Sequence, residues 1–289
     1  MAEAIEQSTK ALVLGGGGTT GVAWELGVLL GLHDRGVDVT RVGLIVGTSA
    51  GSVVGAQMSS GLSLEELFAR QLVPLEETKE QVVQFDLTAL ASVFTAGAGA
   101  VDAQAARALI GAAALAVQTM PEQERLEIIA NRLPVQEWPL KQQLVVIAVN
   151  AQTGEWLTFH RDSGVDLLHA VAASCAVPGI YPPVTVQGQR YIDGGVRSGT
   201  NADIAQGYAR VLILRAETLD WPGDTPHITF EDELAELLQA GVQVLVITPD
   251  EASAEARGPN PLDSSRRAVS AQAGRAQGRQ MAGSVLSFW

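Results

Sequence analysis

Two short apolar runs frame the start of the chain. Residues 10–14 and 42–46 are largely aliphatic, and each runs into glycine, which predicts buried strands that enter tight turns. After the first run come Gly15, Gly16, Gly17 and Gly18, and then Val22, Leu26, Leu29, Leu30 and His33 recur at spacings of three and four. That period predicts a helix, stopped by Gly36. The second run leads through Gly47-Thr48-Ser49-Ala50-Gly51 into a helix of small and β-branched residues. Ser63 and Glu66 have the spacing of a capping box, opening a helix that Pro74 breaks. The stretch 86–118 is rich in Ala, Gly and Leu, and 121–131 reads as a charged amphipathic helix with a solvated face. Apolar runs at 144–150 and 156–160 predict one hairpin, and 184–186 with 190–192, around Gln187-Gly188-Gln189, a second. Between the hairpins, 165–174 has helical spacing. Strand 211–214, helix 230–240 and strand 242–247 then alternate, as in a mostly parallel sheet. Residues 249–263 read as loop. The terminal segment 264–289 reads as a helix packing back, its Arg266, Arg267, Arg275 and Arg279 on a solvated basic face.

These elements make an α/β chain. With 289 residues, 47% of them hydrophobic, it can bury a large core, and the expected organisation is one α/β domain over 8–289 with a helical insertion at about 61–135 and a C-terminal helix at about 264–289. The formal charge of −13 argues against a nucleic-acid partner and against electrostatic docking on anionic membranes, so contact with a lipid surface would be apolar and transient. One cysteine, Cys175, implies a reducing compartment. Met1 to Gln7 lacks the basic and apolar regions of a signal peptide, and the most apolar long stretch, 96–117, is interrupted by Asp102, Gln104 and Arg107. The expectation is therefore a cytoplasmic protein, peripheral at most to a membrane. The four histidines, His33, His160, His169 and His227, show no metal-ligand spacing, and neither metal nor cofactor is expected.

The chemistry concentrates where the first two strands end. Gly47, Ser49 and Gly51 give the Gly-x-Ser-x-Gly spacing of a nucleophile elbow, in which glycines on both sides allow a sharp turn with the serine at its apex; an ordinary strand-to-helix turn fits the same five residues. The four consecutive glycines expose backbone N–H groups as an anion nest. Gly16-x-Gly18-x-x-Gly21 also matches a dinucleotide fingerprint, but the second strand ends in Gly47-Thr48-Ser49 rather than in the acidic residue a ribose needs, and no Gly-Lys-Ser/Thr follows for a mononucleotide. A glycine nest beside an exposed serine is the pairing that acyl transfer uses. Asp193-Gly194-Gly195 closes the second hairpin and by itself reads as a turn. His227, in a Trp-Pro-Gly-Asp-Thr-Pro-His loop, is the late histidine that a catalytic triad would call on.

The ordered set of glycine nest, Gly-Thr-Ser-Ala-Gly, Ala173-Ser174-Cys175-Ala176-Val177-Pro178 and Asp193-Gly194-Gly195 resembles the patatin-like phospholipase family over roughly 10–200. The resemblance implies a three-layer α/β/α sandwich with a mostly parallel central sheet and a helical cap. It implies Ser49 as nucleophile and Asp193 as its direct base with no histidine between, backbone N–H groups of Gly16, Gly17 and Gly18 as the oxyanion hole, and Gly21, Gly47, Gly51, Gly194 and Gly195 shaping the motifs. The substrate implied is a lipid or other ester, cleaved through an acyl-enzyme, with 86–118 forming part of the acyl-binding wall. An aspartate at its ordinary pKa near ~3.9 is a weak base, so this chemistry needs a dry site. One departure stands out: where the family commonly carries an arginine two residues beyond the glycine triplet, this chain has Thr20. The rival reading is a lipid-binding regulatory module that keeps the fold with little or no turnover.

Overall fold

The computed structural model describes residues 9–81, 87–216 and 225–289. The amino-terminal stretch 1–7, residue 86 and the 221–224 part of the His227 loop lie outside the described residues. The chain runs β1 (Lys10–Leu14), α1 (Gly18–His33), β2 (Leu44–Gly47), α2 (Ala50–Met58), α3 (Leu64–Leu72), α4 (Leu87–Thr95), α5 (Ala103–Ala116) and α6 (Glu122–Arg132). It continues through β3 (Gln143–Asn150), β4 (Trp156–Phe159), α7 (Leu167–Ser174), β5 (Val184–Val186), β6 (Gln189–Asp193), β7 (Arg210–Leu214), α8 (Phe230–Gln239), β8 (Gln243–Ile247), α9 (Glu251–Arg257) and α10 (Arg267–Phe288).

The strands form one sheet in which β1 pairs in parallel with β2 and β7, β2 with β3, and β7 with β8. The two hairpins supply the antiparallel pairs β3 with β4, β3 with β6 and β5 with β6. Side chains alternate faces along a strand, and here both sets are buried: Leu12, Leu14, Ile45 and Leu144 pack under α1, α2 and α7, while Ala11, Val13, Val46 and Ile213 pack with Leu237 of α8 on the other side. Helices thus cover both faces, as three layers α/β/α.

The register of β3 decides what the fold brings together. Val146 faces both Gly47 of β2 and Phe159 of β4; Ala148 faces both Leu157 of β4 and Asp193 of β6. Since β4 occupies one edge at both positions, β2 and β6 share the other. They approach from opposite directions, and their C-terminal ends meet there, two β3 residues or about 7 Å apart along the strand.

Two local expectations need correction. Within 249–263, Asp250 accepts the Ser253 N–H at 2.8 Å and caps α9. Of the arginines expected on a solvated face of α10, Arg267 is instead buried and donates to the Arg70 carbonyl, while Arg275 and Arg279 stay partly exposed and both pair with Asp34 at 2.7–3.0 Å. They end up there because α10 lies directly on α1, Gly27 and Gly31 facing the backbone of Ala271 and Arg275, Gly274 and Gly278 that of Trp24 and Val28. The amphipathic helix expected over 121–131 forms as α6, with Gln123, Glu124 and Glu127 exposed; Arg125 lies on its buried face, and Arg132 at its end makes a bidentate pair with Glu80 at 2.7 Å. The capping box of Ser63 and Glu66 forms as expected. Among the described residues no helix is long and apolar enough to cross a membrane.

Candidate active site

Ser49 stands at the turn between β2 and α2 with φ 49° and ψ −112°, a region that residues with a Cβ occupy only under constraint. The constraint is visible. Thr48 N–H donates to the Leu14 carbonyl and Gly51 N–H to the Gly15 carbonyl (3.0 and 2.9 Å), pinning the turn to the nest, and a side chain at Gly51 would run into the Leu14 carbonyl. Ser49 itself is held on both sides: its N–H donates to Ser174 Oγ (3.0 Å), and its carbonyl accepts from Ser52 Oγ (2.6 Å) and Cys175 Sγ (3.3 Å).

Asp193 ends β6, 5% exposed against 9% for Ser49. Its N–H donates to the Ala176 carbonyl (3.0 Å), and its Oδ1 accepts from Gly195 N–H (2.7 Å). The Ala-Ser-Cys-Ala block at the end of α7 therefore touches Ser49 through Ser174 and Cys175 and Asp193 through Ala176. Burial pushes the Cys175 thiol up, and the Asp193 charge pushes it further. A second tie was not legible in the sequence. Asn201, fully buried and left-handed at φ 52°, donates from Nδ2 to Thr48 Oγ1 (3.0 Å) and towards the Gly194 carbonyl (3.4 Å), while its Oδ1 accepts from Arg197 (2.7 Å). One amide thus spans the serine turn and the aspartate turn; its only sequence signal is that asparagine tolerates the left-handed region.

The glycine nest needs one revision. Gly16 N–H already donates to the Gly199 carbonyl (2.8 Å), so it is not a free donor. Among the described residues the N–H groups of Gly17 and Gly18 have no acceptor, and α1 begins at Gly18, so its positive end faces the same space. Gly21 donates to the Gly17 carbonyl and packs on Ala50. The cation absent at Thr20 arrives from elsewhere: Arg257, at the end of α9, reaches Thr20 Oγ1 (3.4 Å), the Gly17 carbonyl (3.3 Å) and the Ala216 carbonyl. Beneath it lies Glu25, whose carboxyl burial raises well above its ordinary value against the pull of Arg257.

A recess opens over Ser49, lined by Gly18 and Thr19 of the nest, Arg125 and Arg132 of α6, Tyr181, and Leu262 of the segment that follows α9. It is narrow, with about 10 Å³ for a water-sized body. Its described wall comes from α6 rather than from 86–118, whose helices α4 and α5 pack instead around Val149, Ile192 and Val196. The histidines lie in other settings: His33 near Glu65, His160 capping residues 161–163, His169 paired with Asp166 at 2.8 Å, and His227 Nδ1 against the Thr225 carbonyl.

The sequence matches the patatin-like phospholipase description over residues 12–205. Among solved structures, VipD from Legionella pneumophila is similar at 14% identity and TM-score 0.48, the match covering 96% of this chain and 67% of that one. The type III effector protein ExoU is similar at 14% identity and TM-score 0.41, over 96% of this chain and 53% of that one. With about two thirds of its length inside the family match, from the first buried strand to beyond Asp193-Gly194-Gly195, this chain belongs to the patatin-like phospholipase family, a family of lipid ester hydrolases.

Proposed function

We propose that the chain cleaves carboxylic esters of lipids in the manner of a phospholipase A, through an acyl-enzyme on Ser49 with Asp193 as the direct base. The observation that carries this reading is the head-on meeting of β2 and β6 on one edge of β3, which makes neighbours of two turns far apart in sequence. Asp193 takes the proton from Ser49 Oγ as the oxygen attacks the ester carbonyl. The tetrahedral oxyanion that forms is received by Gly17 and Gly18 N–H at the positive end of α1. Collapse expels the alcohol, which takes the proton back from Asp193, and a water deprotonated by the same carboxylate then releases the fatty acid. Gly195 N–H on Oδ1 and Ala176 on the backbone hold Asp193 in one orientation throughout. Arg257 adds positive charge beside the nest where Thr20 adds none.

Substrate would come from a lipid surface through transient apolar contact, in keeping with a net charge of −13. Every proton and charge role is filled by these groups, so turnover is expected to persist in chelator. Hydrolysis of a short-chain nitrophenyl ester by wild type and Ser49→Ala tests the reading: the variant should be folded and inactive, and equal rates would refute it.

A further inference from the structure

Resting on the hydrolase reading, we propose that Arg125, backed by Arg132, is a specificity-determining subsite for a phosphate in the substrate's head group, so that the preferred ester is anionic. Arg125 is 3% exposed, and its Nε has no hydrogen-bond partner. Its guanidinium lies over the Tyr181 ring, 3.4 Å from the centroid, and lines the Ser49 recess. A cation buried this deeply is costly without a counter-charge. The carboxylate whose field it feels, Glu80, is already gripped at both oxygens by Arg132. Among the described residues the recess wall carries two guanidiniums, that of Arg132 already paired with Glu80, and no carboxylate, and burial together with the Arg132 charge lowers the Arg125 pKa.

Room for a head group lies alongside. The recess shares Thr19 and Arg132 with a cavity of about 230 Å³, lined also by the cations Arg70 and Arg267 and by the carboxylates Glu77 and Glu80. Arg267 is 6% exposed, and its Nη1 and the Oε1 of Gln57 there are buried without partners. A phosphate against Arg125 and Arg132 would answer the unpaired charge beside Ser49, and the polar remainder of the head group would extend past Arg132.

The test compares hydrolysis of a 1-acylglycerol 3-phosphate with that of the matched 1-acylglycerol, and measures calorimetric binding of sn-glycerol 3-phosphate and of inorganic phosphate to Ser49→Ala protein. Wild type should favour the phosphate ester in kcat/KM by on the order of 100-fold, and Arg125→Met should shrink that ratio about 10-fold or more, chiefly through KM, with Arg125→Lys retaining most of it. Glycerol phosphate should bind Ser49→Ala and fail to bind once Arg125→Met is added. A wild-type ratio near one overturns the proposal, whether or not the Met variant folds. So does an unchanged ratio in a folded Arg125→Met protein, or binding of inorganic phosphate alone. If glycerol phosphate binds in an Arg125-dependent way while wild-type Ser49 turns over neither ester, the anion site stands and the hydrolase reading fails.

Discussion

Ser49 carries backbone strain at the position where the chemistry needs an exposed hydroxyl, with φ 49° and ψ −112° set by the hydrogen bonds of its neighbours. Such conformations cost about 1–3 kcal/mol for a residue with a Cβ, and glycine relieves most of that at a smaller entropic cost. Ser49→Gly is accordingly expected to abolish turnover while raising stability by about 1 kcal/mol, read as a higher urea midpoint; a lower midpoint would contradict the strain. Asn201 makes the complementary case. Replacing it by alanine removes one buried partner from each of Thr48, Ser198 and Arg197, at a cost of about 2 kcal/mol. Because the amide spans both turns, Asn201→Ala should also slow turnover of bound ester, a fall in kcat at similar KM. Ser49 was legible as a candidate from its own local motif, whereas Asp193 by itself reads as a turn and stood out only through the resemblance to the family. Asn201, Arg125 and Arg257 were not legible, since each acts through a contact across tens or hundreds of residues, and Arg257 lies beyond the matched span.

Among the elements, α10 shows where pattern reading falls short. Its arginines, spaced through alanines, have the look of a solvated basic stripe, yet glycines on α1 and α10 let the two backbones approach until those arginines reach Asp34. The spacing of Gly27 with Gly31 and of Gly274 with Gly278 was present in the sequence; what was missing is which helices those pairs join. Gly278→Val would drive side-chain atoms into the Val28 carbonyl, and overpacking of this kind costs about 1–3 kcal/mol. The expected outcome is a lower urea midpoint, and an unchanged one would show that the contact yields without cost. The helix α9 was hidden by Pro249 before it and Gly258-Pro259 after it, which made the whole stretch read as loop, although Asp250 and Ser253 carried its cap.

For the molecule as a whole, pH should act through buried carboxyls rather than through the exposed acidic surface. Glu233 sits beneath Thr200, and burial raises its pKa to about 7, with hydrogen bonds from Ser198 and Thr200 opposing. The folded protein then keeps a proton that the unfolded chain releases near 4.5. This contribution to stability is complete below pH 4.5 and declines as pH rises through about 7. Glu233→Gln should flatten the melting-temperature profile over that window; an identical profile would refute the assignment. Asp34 works in the opposite sense. Hydrogen bonding to Arg275 holds it at about 2, so its contribution is present above 3.8 and fades as pH falls towards 2.

The dyad is the core of the account, and the rate at which a fluorophosphonate labels Ser49 tests it directly, because labelling requires the same proton transfer as acylation. Wild type should be modified at Ser49, and Asp193→Asn, which keeps shape and hydrogen bonding but cannot accept the proton, should be slowed by on the order of 10³-fold or more, while single replacements of His33, His160, His169 and His227 leave the rate near wild type. Labelling of Asp193→Asn at the wild-type rate, or its loss in one of the histidine variants, would contradict a serine activated directly by Asp193.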